Sequence, residues 1–325
     1  MATQQMRSPT PDGVTLAAAK IAQLLPKTPL IEREVNGVPV WFKAESLQPV
    51  GAFKIRGAWH RLSDLSAEER KRGVVGVSSG NHAQGVAWAA RRLGIAATIV
   101  MPTDAPKTKI AATRGYGAEV VLYDRPGGEN RDEVARRLIE QSGATLVHAY
   151  GDPWVIEGQG SAGIEIAEQL AERGLEGPTR IVCPCGGGGL TAGLALACPD
   201  AEIAPVEPEG WDDVRLSLEK GEIVPVPDMT FPTACDALQT PATWPINFAV
   251  LKARVKRGHA VTAAEVRAAQ RWAFANLHLV IEPGGVAGLA AVLAGKVAVD
   301  GRTVVVLSGG NTDADAFARV LASSD

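Results

Sequence analysis

Short runs of apolar, mostly β-branched residues alternate along this chain with longer stretches in which apolar residues recur at helical spacing. Each short run predicts a strand, and a turn followed by a helical stretch comes after most of them. The predicted strands lie at residues 74–78, 98–101, 119–122, 145–148, 180–183 and 303–307. Strands that are apolar on both faces and alternate with helices favour an α/β fold built on parallel sheets.

Three turns that follow predicted strands combine glycine with polar side chains. Open parallel sheets bind ligands at the carboxyl ends of their strands, so we expect the functional site at these turns. The turns are Ser78–His82, Cys185–Leu190 and Ser308–Asn311.

The composition is that of a globular protein and narrows the class of partner. The chain has 325 residues, 46% of them hydrophobic, and 33 basic residues nearly balance 36 acidic ones for a net charge of −3. That balance argues against a nucleic-acid partner and against a membrane surface. The four cysteines form no CxxC pair and have no zinc spacing, which fits buried thiols in a reducing compartment, so we expect a cytoplasmic protein.

One uncharged segment, the 19 residues at 181–199, is long enough to be tested as a membrane span. A Cys-Pro-Cys sequence and four consecutive glycines interrupt the continuity that a spanning helix needs. We therefore expect a buried strand, a turn and a buried helix there, and no membrane partner.

The four glycines at 186–189 point to an anion. Consecutive glycines destabilise the folded chain through entropy, but they let backbone N–H groups close around a phosphate at a helix N-terminus. A dinucleotide site is an alternative, because Gly187, Gly189 and Ala192 satisfy GxGxxG/A and Glu207 follows 20 residues after Gly187. The turn alone therefore leaves open a phosphate cofactor or a nicotinamide-binding oxidoreductase.

Lys54 stands among apolar and small residues in the segment 48–58. Desolvation by such neighbours lowers the pKa of a lysine and allows it to form a Schiff base. A solvated surface lysine is the alternative.

With these segments taken together, the chain resembles the fold-type II pyridoxal-phosphate (PLP) enzymes, which are tryptophan synthase β-like, and among them the serine/threonine dehydratase and serine racemase family. The resemblance runs from about residue 25 to the C-terminus. Six motifs carry it in the family's order: Thr28-Pro29-Leu30, Phe53–Ala58, Ser79–Gly85, Glu157–Gly160, Gly186–Leu190 and Ser308–Asn311.

The resemblance implies two α/β domains with mostly parallel sheets and the cofactor in the cleft between them. A small domain, residues 47–143, would be inserted in a large PLP-binding domain made of residues 1–46 and 144–325. It also implies a small amino-acid substrate and a homodimer.

The resemblance assigns a role to each motif. Lys54 would hold PLP as a Schiff base and later act as the base on Cα–H. Phe53 would pack against the ring, Asn81 would bind the ring oxygen O3′, and Ser308 would face the ring nitrogen. The phosphate would be bound by the backbone of Gly186, Gly187, Gly188, Gly189 and Leu190.

The expected contacts to the substrate come from Ser79, Asn81, His82, Arg131 and Asp236. Ser79 would act as a second acid or base on the face opposite Lys54, as racemisation requires. Each of three residues also has a structural interpretation: Ser79 satisfies the turn backbone, His82 caps the turn, and Arg131 is a solvated helix residue.

A divalent cation (Mg²⁺, Ca²⁺ or Mn²⁺) is expected at Glu207, the Trp211 carbonyl and Asp213, because hard cations take such oxygen ligands and the racemase-like enzymes use matching positions. An acidic surface loop is the alternative.

The predicted function is that of a PLP-dependent dehydratase (ammonia-lyase), which converts a β-hydroxy-L-amino acid to a 2-oxo acid and ammonia. Serine and threonine are the default substrates. Arg131 would suit 3-hydroxyaspartate, and the segment 234–239 would suit a bulkier β-hydroxy acid. An amino-acid racemase of the same family is the alternative, and a nicotinamide-binding oxidoreductase is the alternative from another class.

Overall fold

The computed structural model describes residues 7–105 and 107–323. The strands are β1 (Leu30–Val35), β2 (Val38–Ala44), β3 (Val74–Val77), β4 (Ala97–Pro102), β5 (Glu119–Tyr123), β6 (Thr145–Val147), β7 (Arg180–Pro184), β8 (Glu202–Pro208), β9 (His259–Val261) and β10 (Thr303–Leu307). The helices are α1 (Pro11–Ala22), α2 (Lys54–Ser63), α3 (Ala67–Arg72), α4 (Asn81–Leu93), α5 (Lys107–Gly115), α6 (Arg131–Ser142), α7 (Pro153–Ala171), α8 (Gly189–Ala197), α9 (Asp213–Lys220), α10 (Pro245–Arg254), α11 (Ala263–Leu277), α12 (Ala287–Leu293) and α13 (Ala314–Ala322).

The strands form two separate sheets. The larger has the order β1-β2-β10-β7-β8-β9 and the smaller the order β5-β4-β3-β6. All neighbouring strands are parallel except β1 and β2, which form an antiparallel hairpin at the edge of the larger sheet. The predicted α/β class with mostly parallel sheets is therefore confirmed.

The uncharged segment folds as predicted. It contributes β7, the glycine turn and α8 to the larger sheet and its cover. Within the described parts of the chain, no helix is long and apolar enough to cross a membrane. The apolar character of this segment comes instead from burial in the core, where Ile181, Val182 and Leu194 have no exposed surface.

The division into domains stays a proposal. The smaller sheet draws all its strands from residues 74–147 and the larger draws its strands from both flanking parts of the chain, which supports an inserted small domain. Strand β6 lies beyond residue 143 but pairs with β3 in the smaller sheet. We therefore propose that the small domain ends after residue 147 instead of at residue 143.

Separate apolar cores support the two sheets. One packs α2 and α4 against the smaller sheet, around Ile55, Val86 and Ile99. Others cover both faces of the larger sheet. All four cysteines are buried and free, as predicted, and burial raises the pKa of the Cys183, Cys198 and Cys235 thiols to about 12.

Candidate active site

Lys54 is the first residue of α2, in the connection from the larger sheet to the smaller one. Its Nζ donates to the carbonyl oxygen of Ala149 at 2.9 Å. Burial disfavours the charged amine, and no carboxylate of the described residues offsets that effect, so the pKa falls from 10.5 to about 8. A lysine that is partly neutral near physiological pH is a nucleophile and can form a Schiff base with an aldehyde.

A buried ionic network holds this end of α2 in place. Arg56 is fully buried, and its guanidinium forms hydrogen bonds of 2.7–2.8 Å to both carboxylate oxygens of Glu45 and of Glu165. The buried Lys43 donates to Glu165 at 2.6 Å, so two cations face two carboxylates. Because buried charges are tolerated when they are paired, the network fixes Lys54 relative to β2 and α7.

The tetraglycine turn between β7 and α8 has a shape that side chains would obstruct. Gly188 has a φ of 86°, a conformation that disfavours other residues. A Cβ atom at Gly187 would lie 2.3 Å from the ring of Tyr150, and one at Gly189 would lie 3.1 Å from the Tyr150 Cβ. The glycines thus allow the chain after β6 to pack directly against the turn.

The same turn presents a row of unused donors. Across the described residues, no protein acceptor pairs with the backbone N–H groups of Gly186 to Leu190. These groups lie at the N-terminus of α8, where the helix dipole favours negative charge. The turn is therefore an anion cradle that fits a phosphate group.

The dinucleotide interpretation of this turn has no support in the geometry. Glu207 would have to face a ribose, but it is fully buried. Its carboxylate oxygens accept hydrogen bonds from the N–H groups of Val214 and Arg215, at 3.0 and 2.8 Å. The carboxylate thus caps the first turn of α9.

Ser308 and Phe53 are brought together by a backbone hydrogen bond. The Phe53 N–H donates to the Ser308 carbonyl at 3.0 Å, and the Phe53 ring centroid lies 5.1 Å from the Lys54 Nζ. Ser308 is 5% exposed, and its hydroxyl makes no hydrogen bond to the part of the chain that the structure describes. A buried, unpaired hydroxyl beside Lys54 and Phe53 suits the neutral contact expected at a pyridine nitrogen.

Asn81, at the start of α4, is held by two residues from the larger sheet's side. It donates from Nδ2 to Glu282 at 2.6 Å and accepts at Oδ1 from Asn311 at 2.8 Å. Glu282 is 2% exposed, and burial, with Asp236 nearby, raises its pKa to about 7. Glu282 is not among the residues predicted from the sequence.

His82 lies deeper than a substrate contact would require. It is 2% exposed and its Nε2 lies 2.9 Å from the Val147 carbonyl. Burial, together with the charge of Lys54, lowers its pKa to about 3. It is thus neutral at physiological pH and links α4 to the end of β6, which is a structural contact other than capping of its own turn.

Ser79 and Arg131 remain available to a ligand. Ser79 lies in the turn after β3 and is partly exposed, with no hydrogen bond to the described residues. Arg131 is the first residue of α6 and 44% exposed, and its Nε lies 3.7 Å from Asp132. After burial and Lys54, the charge of Arg131 also lowers the pKa of His148.

Asp236 is joined to a residue that the sequence analysis missed. Its carboxylate forms an ion pair with Lys109 of α5. Helix α5 lies between strands of the smaller sheet in the sequence, and Asp236 lies between β8 and β9 of the larger sheet. A Cβ at Gly80 would lie 3.8 Å from the Lys109 Nζ. Lys109 therefore lies over the turn that holds Ser79 and Asn81.

Tyr150 is a second residue that the sequence analysis left without a role. It follows β6 and packs on the tetraglycine turn, where Asn247 donates to its carbonyl at 3.0 Å. His148 orients this segment by accepting from the N–H groups of Tyr150 and Gly151 at 3.3 and 2.8 Å. The four glycines were the available signal, because a turn without side chains implies a bulky neighbour.

Of the three predicted cation ligands, the carboxylates of Glu207 and Asp213 are close enough for their charges to interact. Asp213 accepts from the Thr243 N–H at 2.7 Å through one oxygen, and its other oxygen is buried without a partner among the described residues. Glu207 and Asp213 are both buried, and burial and mutual repulsion raise the pKa of Glu207. Over residues 7–105 and 107–323, no group of three or more His, Cys, Asp or Glu side chains could hold a metal ion.

Together, the desolvated Lys54 amine, the anion cradle and the Ser308 hydroxyl, which has no partner in the described chain, fit the pyridoxal phosphate that the sequence resemblance implies. They define a site for an aldehyde cofactor held by a lysine, with residues that follow strands of both sheets. The fold and the site together therefore describe a PLP-dependent enzyme.

Comparison with known proteins identifies the family. The model of the pyridoxal-phosphate dependent enzyme family matches residues 21–309. The chain is 38% identical to the serine racemase of Schizosaccharomyces pombe, over 96% of this chain and 97% of the relative. It is 40% identical to an L-threo-3-hydroxyaspartate ammonia-lyase of a Pseudomonas species, over 95% and 97%.

A solved structure agrees with this result. That of maize serine racemase is 33% identical, covers 96% of this chain and 97% of its own, and superposes with a TM-score of 0.89. The chain therefore belongs to the family of pyridoxal-phosphate-dependent enzymes, within its dehydratase and racemase branch.

Proposed function

We propose that this protein is a PLP-dependent ammonia-lyase that converts a β-hydroxy-L-amino acid into a 2-oxo acid and ammonia. The observation that carries the proposal is the desolvated Lys54 amine, in a site where the N–H groups of Gly186–Leu190 have no acceptor among the described residues. The similarity to an ammonia-lyase and to two serine racemases supports the reaction class.

The residues divide the work between binding and proton transfer. When bound, PLP supplies an electron sink for the carbanion that develops at Cα. Lys54, with its lowered pKa, accepts the proton from Cα. The β-hydroxyl then takes up a proton, for which the protonated Lys54 amine is a source, and leaves as water. Addition of one water to the dehydrated enamine product yields the 2-oxo acid and ammonia. Ser308 offers the ring nitrogen a hydroxyl instead of a carboxylate, which weakens the sink and favours loss of a β-leaving group.

Racemisation is the second candidate. The observation that favours it is the Ser79 hydroxyl, which is partly exposed and makes no hydrogen bond within the described chain. A hydroxyl on the face opposite Lys54 can return a proton to Cα with inversion.

The test is a panel of L- and D-serine, L- and D-threonine and L-threo-3-hydroxyaspartate, assayed for ammonia, 2-oxo acid and enantiomer composition. We expect ammonia release by the wild type, and loss of both turnover and the visible absorption of bound PLP in Lys54→Ala. Lys71→Ala, at an exposed position on α3, is the matched control. Inversion without ammonia release would establish the racemase instead, and wild-type protein that stays colourless with PLP would refute both.

We further propose that the substrate carries a second carboxylate, as in 3-hydroxyaspartate. The support is Arg131, whose only ion pair within the described residues is the long contact to Asp132. Arg131→Met should lower kcat/KM for L-threo-3-hydroxyaspartate by about tenfold or more, the effect of losing one charged hydrogen bond, and leave serine turnover nearly unchanged. Arg136→Met, exposed on the same helix, is the control, and equal losses for both substrates would contradict the role.

We also propose a divalent cation at Glu207, the Trp211 carbonyl and Asp213. The support is the buried oxygen of Asp213, which has no partner among the described residues, beside a second buried carboxylate, because a cation would neutralise both. A ligand of the native state stabilises it, so Mg²⁺ or Mn²⁺ should raise the Tm of EDTA-treated wild type but not that of Asp213→Asn. Identical melting with and without these metals would rule the site out.

The homodimer and the cytoplasmic location implied by the resemblance stay predictions. Sedimentation velocity of the PLP-loaded protein tests the first, and cell fractionation tests the second.

A further inference from the structure

Three side chains and one backbone carbonyl form a continuous chain of hydrogen bonds beside the proposed cofactor site. The Asn311 Nδ2 donates to the Val50 carbonyl at 2.8 Å and to Asn81 Oδ1 at 2.8 Å. The Asn81 Nδ2 in turn donates to Glu282 Oε1 at 2.6 Å. The residues come from four separate segments of the chain.

This chain fixes which way the Asn81 amide points. The Val50 carbonyl can only accept, so Asn311 must present its NH₂ group there, and the second hydrogen of that group reaches Asn81. Asn81 therefore turns its oxygen toward Asn311 and its nitrogen toward Glu282. With one Nδ2 hydrogen used by Glu282, the other has no acceptor among the described residues.

Glu282 is suited to accept in either protonation state. Its Oε1 takes the Asn81 hydrogen bond, while Oε2 is buried without a described partner and can carry a proton. Burial raises its pKa to about 7, so both states are populated near neutrality. The bond to Asn81 survives in both.

The glycine of the Ser308–Asn311 turn makes room for this arrangement. A Cβ at Gly309 would lie 2.0 Å from the Glu282 Oε1 and 3.1 Å from the Asn81 Nδ2. The turn and the clamp are thus built around each other, although Gly309 and Glu282 are far apart in the sequence.

We propose that Glu282 and Asn311 are positioning residues that clamp the Asn81 amide with its free N–H directed at the ionised ring oxygen of PLP. If the clamp is lost, the amide can rotate and present its oxygen to that anion. A donor is then exchanged for an acceptor, which weakens cofactor binding and favours protonation of the ring oxygen. The inference rests on the proposed cofactor site.

The test compares Glu282→Gln with Glu282→Met. Glutamine keeps an oxygen for Asn81 and removes the charge, whereas methionine keeps the volume and removes the acceptor. We expect Glu282→Met to raise the Kd for PLP by about tenfold, the scale of one charge-assisted hydrogen bond, and to shift absorption of the bound cofactor from the visible to the near ultraviolet. Glu282→Gln should stay within about threefold of wild type, because its hydrogen bond remains.

Asn311→Asp provides an independent variant if Glu282→Met fails to fold. A carboxylate cannot donate to Asn81 Oδ1, so the same rise in Kd and the same spectral shift are expected. Wild-type Kd and spectrum in either variant would overturn the inference, as would a Glu282→Gln protein that is as impaired as Glu282→Met. These outcomes differ from failure of the proposed function, in which the wild type itself binds no PLP.

Discussion

The surroundings of the Lys54 amine desolvate it and favour its neutral form, and this has a measurable consequence before any cofactor binds. Its pKa is lowered by desolvation to about 8. In the cofactor-free protein, labelling of Lys54 by an amine-reactive reagent should therefore reach half its maximal rate near pH 8, as measured by mass spectrometry of the peptide. The exposed Lys71 serves as an internal control for the reagent.

The same shift has a defined sign for stability. Because the folded pKa lies below the unfolded value of 10.5, the unfolded chain binds more protons between these limits. Lys54 should thus make the cofactor-free protein more stable as the pH rises from about 8 toward 10.5, and Lys54→Met should lose that part of the pH dependence. A half-maximal labelling rate near pH 10 would contradict both expectations.

At the level of single residues, the sequence motifs identified the residues expected to bind the cofactor, but not the residues that hold them in position. Lys54 and the glycine turn could be found because their neighbours in the sequence are unusual. Glu282 and Lys109 could not, because each acquires its role only through contacts with distant segments, Asn81 in one case and Asp236 in the other. The sequence neighbours of Glu282 and Lys109 give no indication of those contacts.

Among the elements, the turn before α8 tolerates a side chain poorly. Gly187→Ala would place a methyl group 2.3 Å from the Tyr150 ring, so the ring must move. We expect a loss of about 1–3 kcal/mol of unfolding free energy, as for overpacked cores, and weaker PLP binding, both measured by denaturant titration and dialysis.

Two variants separate that clash from a general effect of alanine. Gly301→Ala meets no atom within 4 Å and should be neutral. Adding Tyr150→Ala to Gly187→Ala removes the obstructing ring and should restore part of the affinity. If the double variant binds PLP no better than Gly187→Ala, the clash with Tyr150 is not the cause.

The elements themselves were predictable where their pattern was regular. Six strands read as short apolar runs, and those predictions are confirmed. Strands β8 and β9 of the larger sheet were not among them. The hairpin of β1 and β2 was missed, because β1 carries exposed charged residues at its centre and lies at an edge. Its signal was the Asn36-Gly37 pair, which adopts positive φ values of 52° and 79° and is typical of a two-residue hairpin turn.

At the scale of the whole molecule, the ion pair of Lys109 and Asp236 links helix α5, which connects two strands of the smaller sheet, to the segment between β8 and β9 of the larger sheet. Asp236 is 44% exposed at its side chain, so salt should screen the pair. We expect amide hydrogen exchange in α5 to accelerate with ionic strength in the wild type. In Lys109→Ala, exchange should be fast already at low salt and insensitive to it.

The control is Lys107→Ala, an exposed change on the same helix, which should keep the salt dependence of the wild type. Exchange in α5 that is equally slow in wild type and Lys109→Ala would show that the pair does not restrain the two segments.

Because all four native thiols are buried, movement of α5 relative to the rest of the molecule can be observed directly with introduced cysteines. Cys183, Cys185, Cys198 and Cys235 are enclosed, and burial raises the pKa of each thiol, so maleimide dyes should leave the native protein unlabelled. Cysteines introduced at exposed positions, such as Thr108→Cys on α5 and Asp315→Cys on α13, can then carry a fluorophore pair. The distance between the two parts of the enzyme becomes readable during turnover, without first removing any native cysteine.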